Sequence, residues 1–252
     1  MFDLQKASIS KRITAFLIDA LLLCLLAVAI APILGGIVGY QESITTYQNY
    51  HQQYCDQYGI KNNITPTEYN QLSNDEKARY EEADKAFQAD PEVNRAQMLI
   101  FNLFIVIVSF SILLAHLILE FLVPLFLKNG QTLGKKAFGL GVVRADCVKL
   151  SVFQLFVRSI IGKYTIEVMV PVMLLVMLVS GVIGIMAPIV IVLFWILQIV
   201  LIIVSRTNSL IHDALAVTVV VDMTTQAIYE NAEALLEAKK QAAADQAEKA
   251  PY

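Results

Sequence analysis

Between Thr165 and Val204 the chain runs for forty residues with Glu167 as its only charged side chain. That is enough for two crossings of a hydrocarbon core about 30 Å thick, since each crossing needs about 20 apolar residues. Two more runs, Ile13 to Val38 and about Met98 to Leu119 or beyond, are apolar on the same scale. Inside lipid every backbone N–H and C=O must be satisfied within the protein, which makes these runs helices. The expected fold is therefore an all-α membrane protein with four transmembrane helices. Gly181, Gly184 and Pro188 place the break between the last two at Ser180–Pro188. A cleaved signal peptide competes for the first run. That run, however, outlasts an apolar signal region of about 7–15 residues, and it carries Asp19.

The expected organisation follows. Residues 1–39 are the amino terminus and first span, 40–97 a polar insertion, 98–127 the second span and 128–164 a basic loop. Residues 165–184 and 185–205 are the third and fourth spans, and 206–252 is a polar segment with a short strand and an Ala-rich helical tail. Lys/Arg counting orients the chain. Segments 1–12, 128–164 and 206–252 hold three, seven and four basic residues, whereas the insertion holds five among ten acids. Both termini are expected in the cytoplasm and the insertion outside, in the plasma (inner) membrane of a bacterium.

The loop NGQTLGKKAFGLGVVRADCVK, residues 129–149, is the most basic and glycine-dense segment. Basic loops beside spans rest on anionic headgroups, so Lys135, Lys136 and Arg144 are expected at the lipid surface. The loop fails both phosphate-cradle templates, with Asn129 where a P-loop needs Gly and Arg144 where GxGxxG needs its last Gly. A surface helix over Gln131–Phe138 and a strand over Leu140–Ala145 fit better. Val217–Asp222 is a second β-favouring string, and the two are expected to pair.

In the insertion, Tyr47, Tyr50, Tyr54 and Tyr58 recur at helical spacing, as a packing seam or a docking face for a protein partner. Ser73 and Glu76 form a capping box opening a helix to about Gln88, which Asp90-Pro91 ends. Asn63-Ile64-Thr65 matches a glycosylation sequon, which matters only in a glycosylating host.

Charges inside spans carry the functional reading. Arg12 and Asp19 lie seven residues apart, two turns along one helix face. With the expected topology, Arg12, Asp19, His116, Glu120, Arg158, Lys163, Glu167, Arg206 and Asp213 all fall in the cytoplasmic leaflet or at its surface. Two readings stand: a polar clasp holding helix ends in register, or carboxylates that bind a cation or proton during transport. In the second, Asp19 responds to the ion, Arg12 orients it, and Asp213 anchors to Arg206 or Arg158. His116 and Glu120, one turn apart, lack a third metal ligand. Three cysteines form no disulfide framework. No metal site, cofactor cradle, nucleophile–base pair or nucleic-acid signature is read from the sequence.

KRITAFLIDALLL, GQTLGKKAFGLGVVRAD and SLIHDALAVTVVV together resemble the RDD family of bacterial and archaeal membrane proteins, named for an arginine and two aspartates. Arg12, Asp19 and Asp213 match those positions, over residues of about 6–222. The resemblance implies transport, with cation/proton antiport suggested for some members. The insertion and tail lie outside the shared core. Such relatives usually carry Gly where this chain has Cys147, so the turn there is expected to differ. The function expected is a small transporter for monovalent cations or protons, as a homo-oligomer because four spans make a small pathway. The alternative is a non-transporting accessory protein docked through the insertion.

Overall fold

The structure is a computed structural model and describes residues 4–127, 129–181, 184–205 and 207–249. Among the described residues four helices are long and apolar enough to cross a membrane: α1 (Ile9–Ile37), α5 (Pro91–Leu127), α7 (Val152–Val179) and α8 (Met186–Val204). Their outer faces expose large apolar side chains, among them Leu17, Leu21, Leu25, Trp195, Ile199 and Ile203, as a lipid-facing surface requires. The turn between α7 and α8 falls where the glycines are, with Gly181 and Gly184 both at positive φ. The third helix begins thirteen residues before the expected 165, because Arg158 and Lys163 lie within the helix and find partners there.

The chain divides into two compact units, Met1–Leu26 with Ile112–Tyr252, and Ala27–Ser111. In the second unit, α2 (Tyr40–Tyr58), α3 (Pro66–Gln71) and α4 (Asn74–Ala89) make up the insertion. Both Thr65/Glu68 and Ser73/Glu76 close reciprocal capping boxes, and Asp90 caps the end of α4. Two tyrosines of the stripe serve as a packing seam: the rings of Tyr47, His51 and Tyr54 each meet Phe87 of α4 edge-on, at centroid distances of 5.3–5.6 Å. Tyr54 also donates to Asp90 at 2.8 Å, and this bond raises the pKa of its phenol.

In the first unit the two β-favouring strings do pair. Strand β1 (Leu140–Arg144) lies antiparallel to β2 (Thr218–Asp222), with Leu140 opposite Asp222 and Arg144 opposite Thr218. The backbone N–H of Ala7 donates to Val220 at 3.2 Å, tying the amino terminus to the same sheet. Leu140, Val142, Val143, Val219 and Val221 are almost fully buried, so both faces of this small ribbon are covered. That coverage explains why two five-residue strands persist where an isolated hairpin is marginal. Short helices α6 (Leu133–Ala137) and α9 (Ile211–Ala216) flank the strands, and α10 (Ala232–Lys249) forms the tail. Cys147 adopts φ 66°, so the turn after β1 keeps the left-handed conformation that glycine favours.

Candidate functional site

The site grows from the docking of α6 on α1. Asp19 and Ala15 share a face of α1 one turn apart, and both are buried. Thr132 caps α6, its hydroxyl accepting from the Lys135 backbone N–H. The same hydroxyl donates to Asp19 Oδ2 in a short hydrogen bond, while the Gly134 N–H donates to Oδ1 at 2.7 Å. A Cβ at position 134 would collide with the Ala15 carbonyl and lie 2.9 Å from the Asp19 carboxylate. Glycine is therefore what lets the loop reach the span. The Lys135 ammonium completes the group, 3.0 Å from Thr132 Oγ1 and 3.5 Å from Asp19 Oδ2.

A second group forms where α9 docks on α7. Arg158 Nε donates to Asp213 Oδ1 at 2.8 Å, and Thr218 Oγ1 donates to the same oxygen at 3.0 Å. Arg12 Nη2 stands 3.5 Å from Asp213 Oδ2. His212 is wedged between Arg158 and Glu167, with Nε2 3.1 Å from Arg158 Nη2 and Nδ1 2.8 Å from Glu167 Oε2. Arg158 can only donate and the Glu167 carboxylate accepts, so the imidazole carries its proton on Nδ1 and accepts through Nε2. Burial lowers the His212 pKa, which keeps the ring neutral and suits this arrangement. Gly162 makes the contact possible, since a Cβ there would lie 2.6 Å from His212 Cβ.

A third contact joins α5 to α7, with Lys163 Nζ 2.5 Å from Glu120 Oε1. Glu120 occupies a π-helical stretch, Leu117–Leu122, and Arg158, Lys163 and Glu167 occupy another, Val157–Met169. The wider π turn shifts the side-chain register and recurs at functional sites. His116 keeps to its own helix, its Nδ1 3.1 Å from the Ile112 carbonyl, with the ring beside Tyr164. Among the described residues no group of three or more His, Cys, Asp or Glu is placed to hold a metal ion.

Among the described residues Asp19 pairs with Lys135, Glu120 with Lys163 and Asp213 with both Arg158 and Arg12, while Glu167 takes His212. Only such pairing makes burial of this much charge tolerable. Burial works against ionisation of Asp213, yet Arg158 foremost, then His212 and Arg12, hold its pKa far below the usual carboxylate range. Burial lowers the Lys135 pKa to about 8; Lys163 and Arg158 push the same way, against Glu120 and Asp19.

A family model described as the RDD family matches residues 6–217. The chain belongs to the RDD family. With its four long apolar helices, this RDD protein is a multi-pass membrane protein. No curated protein and no solved structure matches it significantly. The arginine and two aspartates of the RDD pattern now have distinct roles. Arg12 does not orient Asp19, as the shared helix face suggested; it turns to Asp213, because Thr132, Gly134 and Lys135 already occupy Asp19. Asp213 takes Arg158 as its close partner, and Arg206 lies outside the described residues. Lys135, expected at lipid headgroups, is buried instead, while Lys136 is exposed and Arg144 pairs with Asp146. Sequence reasoning gave no place in the network to Thr132, Gly134 or His212. The signals were present in GQTLGK and IHD, but nothing linear said which oxygen each would meet.

Proposed function

We propose that this RDD protein exchanges a monovalent cation for a proton across the plasma membrane, with Glu120 as the carboxylate that holds one or the other. Glu120 itself supports this reading most. It is 4% exposed, paired through Oε1 to Lys163, and its Oε2 has no hydrogen-bond partner among the described residues. Asp213 Oδ2 likewise lacks a hydrogen bond, but Glu120 alone of the two lies on a π turn of a spanning helix, and both intramembrane acids and π turns recur at functional sites. Asp19 has donors on both oxygens, which supports a role in seating α6 rather than in turnover. Positive-inside counting puts both termini in the cytoplasm and Lys136 and Arg144 near anionic headgroups. A homo-oligomer enlarges the pathway that four spans alone make small.

The test is proton flux in proteoliposomes carrying a lumenal pH dye, with Na⁺, K⁺ and Li⁺ pulsed in turn. Wild type should show cation-dependent proton movement, and Glu120→Gln should lose it by an order of magnitude or more. Asp19→Asn should lower the yield of folded protein while leaving turnover per folded molecule. Deleting residues 45–92 should leave flux intact; loss of a partner without loss of flux would assign that segment to docking. Well-folded wild type that moves no protons with any of the three ions overturns the exchange reading.

A further inference from the structure

We infer that His212 is a proton-operated latch between α9 and α7: neutral, its Nε2 accepts from Arg158, and protonated, the same nitrogen turns to the free Oδ2 of Asp213. The latch stands on the geometry around the ring. Its effect on flux alone rests on the exchange reading.

The ring is held at one end and has a choice of partner at the other. Its Nδ1 lies 2.9 and 2.8 Å from the two Glu167 oxygens, and the His212 backbone N–H donates to Glu167 Oε1 at 3.1 Å. Gly162 packs so closely on this backbone that a Cβ there would lie 2.7 Å from His212 Cα. At the other end Nε2 has two neighbours, Arg158 Nη2 at 3.1 Å and Asp213 Oδ2 at 3.6 Å. The guanidinium can only donate and the carboxylate can only accept. Asp213 Oδ2 is buried and has no hydrogen-bond partner among the described residues, with Arg12 Nη2 standing off at 3.5 Å. Its Oδ1 is fixed by Arg158 Nε at 2.8 Å and Thr218 Oγ1 at 3.0 Å, so the carboxylate is held in place beside the ring.

One proton reverses the choice. An imidazolium carries N–H on both nitrogens, so Nε2 then faces a donor of like charge at 3.1 Å. Closing on Asp213 Oδ2 to the ~2.7–2.9 Å of a charge-assisted bond takes a movement of under ~1 Å. The charged groups around the ring are Arg158 and Glu167 from α7 and Asp213 from α9 itself, with Arg12 of α1 paired to Asp213. From α8 comes the uncharged Gln198, whose Oε1 accepts from the Ile211 N–H at 3.4 Å. Burial, foremost, lowers the His212 pKa from the ordinary 6.5; Arg158 adds to this, while Asp213 and Glu167 oppose it. Arg158 and Glu167 lie on one π-helical stretch, Val157–Met169, and Lys163, the partner of Glu120, lies between them. Releasing Arg158 therefore disturbs the stretch that seats Lys163 against Glu120, and acid should slow exchange.

The test compares thermal unfolding of the purified full-length protein with that of His212→Asn, from about pH 8 to about pH 5.5. The asparagine amide can donate to Glu167 in place of Nδ1, but it has no Nε2 and does not titrate. The folded ring binds a proton less readily than the unfolded one, so its contribution to stability is lost as pH falls from about 6.5 through the folded pKa. Wild type should unfold later than His212→Asn at about pH 8 and lose at least ~3 °C of that advantage by about pH 5.5. Groups common to both proteins cancel in this comparison. Parallel profiles overturn the latch. Nitrogen-15 spectra of histidine-labelled wild type give a second readout, with His51→Asn and His116→Asn assigning the three rings. His212 should be the Nδ1–H tautomer at about pH 8 and doubly protonated only below about pH 6.5. An Nε2–H tautomer or a charged ring at about pH 8 overturns the latch, even where His212→Asn fails to fold. In the charged ring the Nε2 proton should be shifted far downfield and protected from exchange, as a bond to a buried carboxylate requires. A rapidly exchanging Nε2 proton overturns the turn to Asp213. Flux at the two pH values separates the readings. Acid slowing in wild type that His212→Asn lacks supports both, and slowing that persists in His212→Asn overturns the latch's control of exchange. Wild type without flux at either pH overturns exchange and leaves the latch standing on the melts and spectra.

Discussion

Arg158→Ala is expected to destabilise the folded protein by about 3–5 kcal/mol. The guanidinium is 2% exposed and serves two partners, donating to Asp213 through Nε and to His212 through Nη2. Removing it strands the Asp213 carboxylate, itself 1% exposed, with Arg12 at 3.5 Å as its nearest remaining ion-pair partner. It also leaves His212 Nε2 without its donor while Nδ1 still points at Glu167. Arg158→Lys should recover only part of the loss, because one ammonium cannot reproduce the planar fork that reaches both groups. Arg158→Met combined with Asp213→Leu should be less damaging than Arg158→Ala alone, since the fully buried carboxylate goes with its partner and only the partly exposed Arg12 loses an ion pair. Unfolding of the purified protein in detergent, by heat or by titrated denaturing surfactant, measures all three. Arg158→Ala at the stability of wild type would mean that the pair is not formed.

Gly134→Ala should be nearly as costly, at about 3 kcal/mol or more, for a different reason. Inserting atoms into a closed contact typically costs about 1–3 kcal/mol. Here the new methyl would meet the backbone carbonyl of Ala15 and the Asp19 carboxylate, neither of which can swing aside. The Gly134 N–H to Asp19 bond would be lost in the same displacement. Two other glycines provide the comparison. Gly36→Ala meets nothing within 4 Å in α1 and should change little. Gly139→Ala also meets nothing, but its φ of 65° should cost about 1 kcal/mol through backbone strain alone. A fluorescence-detected melt of the three variants should rank Gly36→Ala, Gly139→Ala and Gly134→Ala in order of increasing damage. Gly134→Ala as benign as Gly36→Ala would contradict the docking of α6 on α1.

Much of the architecture was legible because it depends on local chemistry. Four apolar runs gave four helices, the Gly181–Gly184 turn was marked by its residues, and the Ser73/Glu76 box opened α4 where spacing placed it. Even the β1–β2 pair could be read, since two isolated β-favouring strings had no other partner in an otherwise helical chain. Partner choice within the network was a different matter. Arg12 and Asp19 share a helix face, which suggests a pair, but what faces them depends on how α6 and α9 dock from far along the chain. The start of α7 is hidden in the sequence because Arg158 and Lys163 lower local hydropathy and so read as loop, although pairing with Asp213 and Glu120 allows them inside a helix. Counting charges sends Lys135 to the lipid surface with Lys136, because a count does not distinguish the two faces of one turn.

The separation of the RDD residues into two partnerships is tested most directly by double-mutant cycles on folding stability. Arg12→Gln with Asp213→Asn, Asp19→Asn with Thr132→Val, and Arg12→Gln with Asp19→Asn make the three pairs. The first two should show coupling of about 0.5–3 kcal/mol, and the third should be additive to within about 0.5 kcal/mol. Coupling between Arg12 and Asp19 that exceeds both of the others would contradict the network.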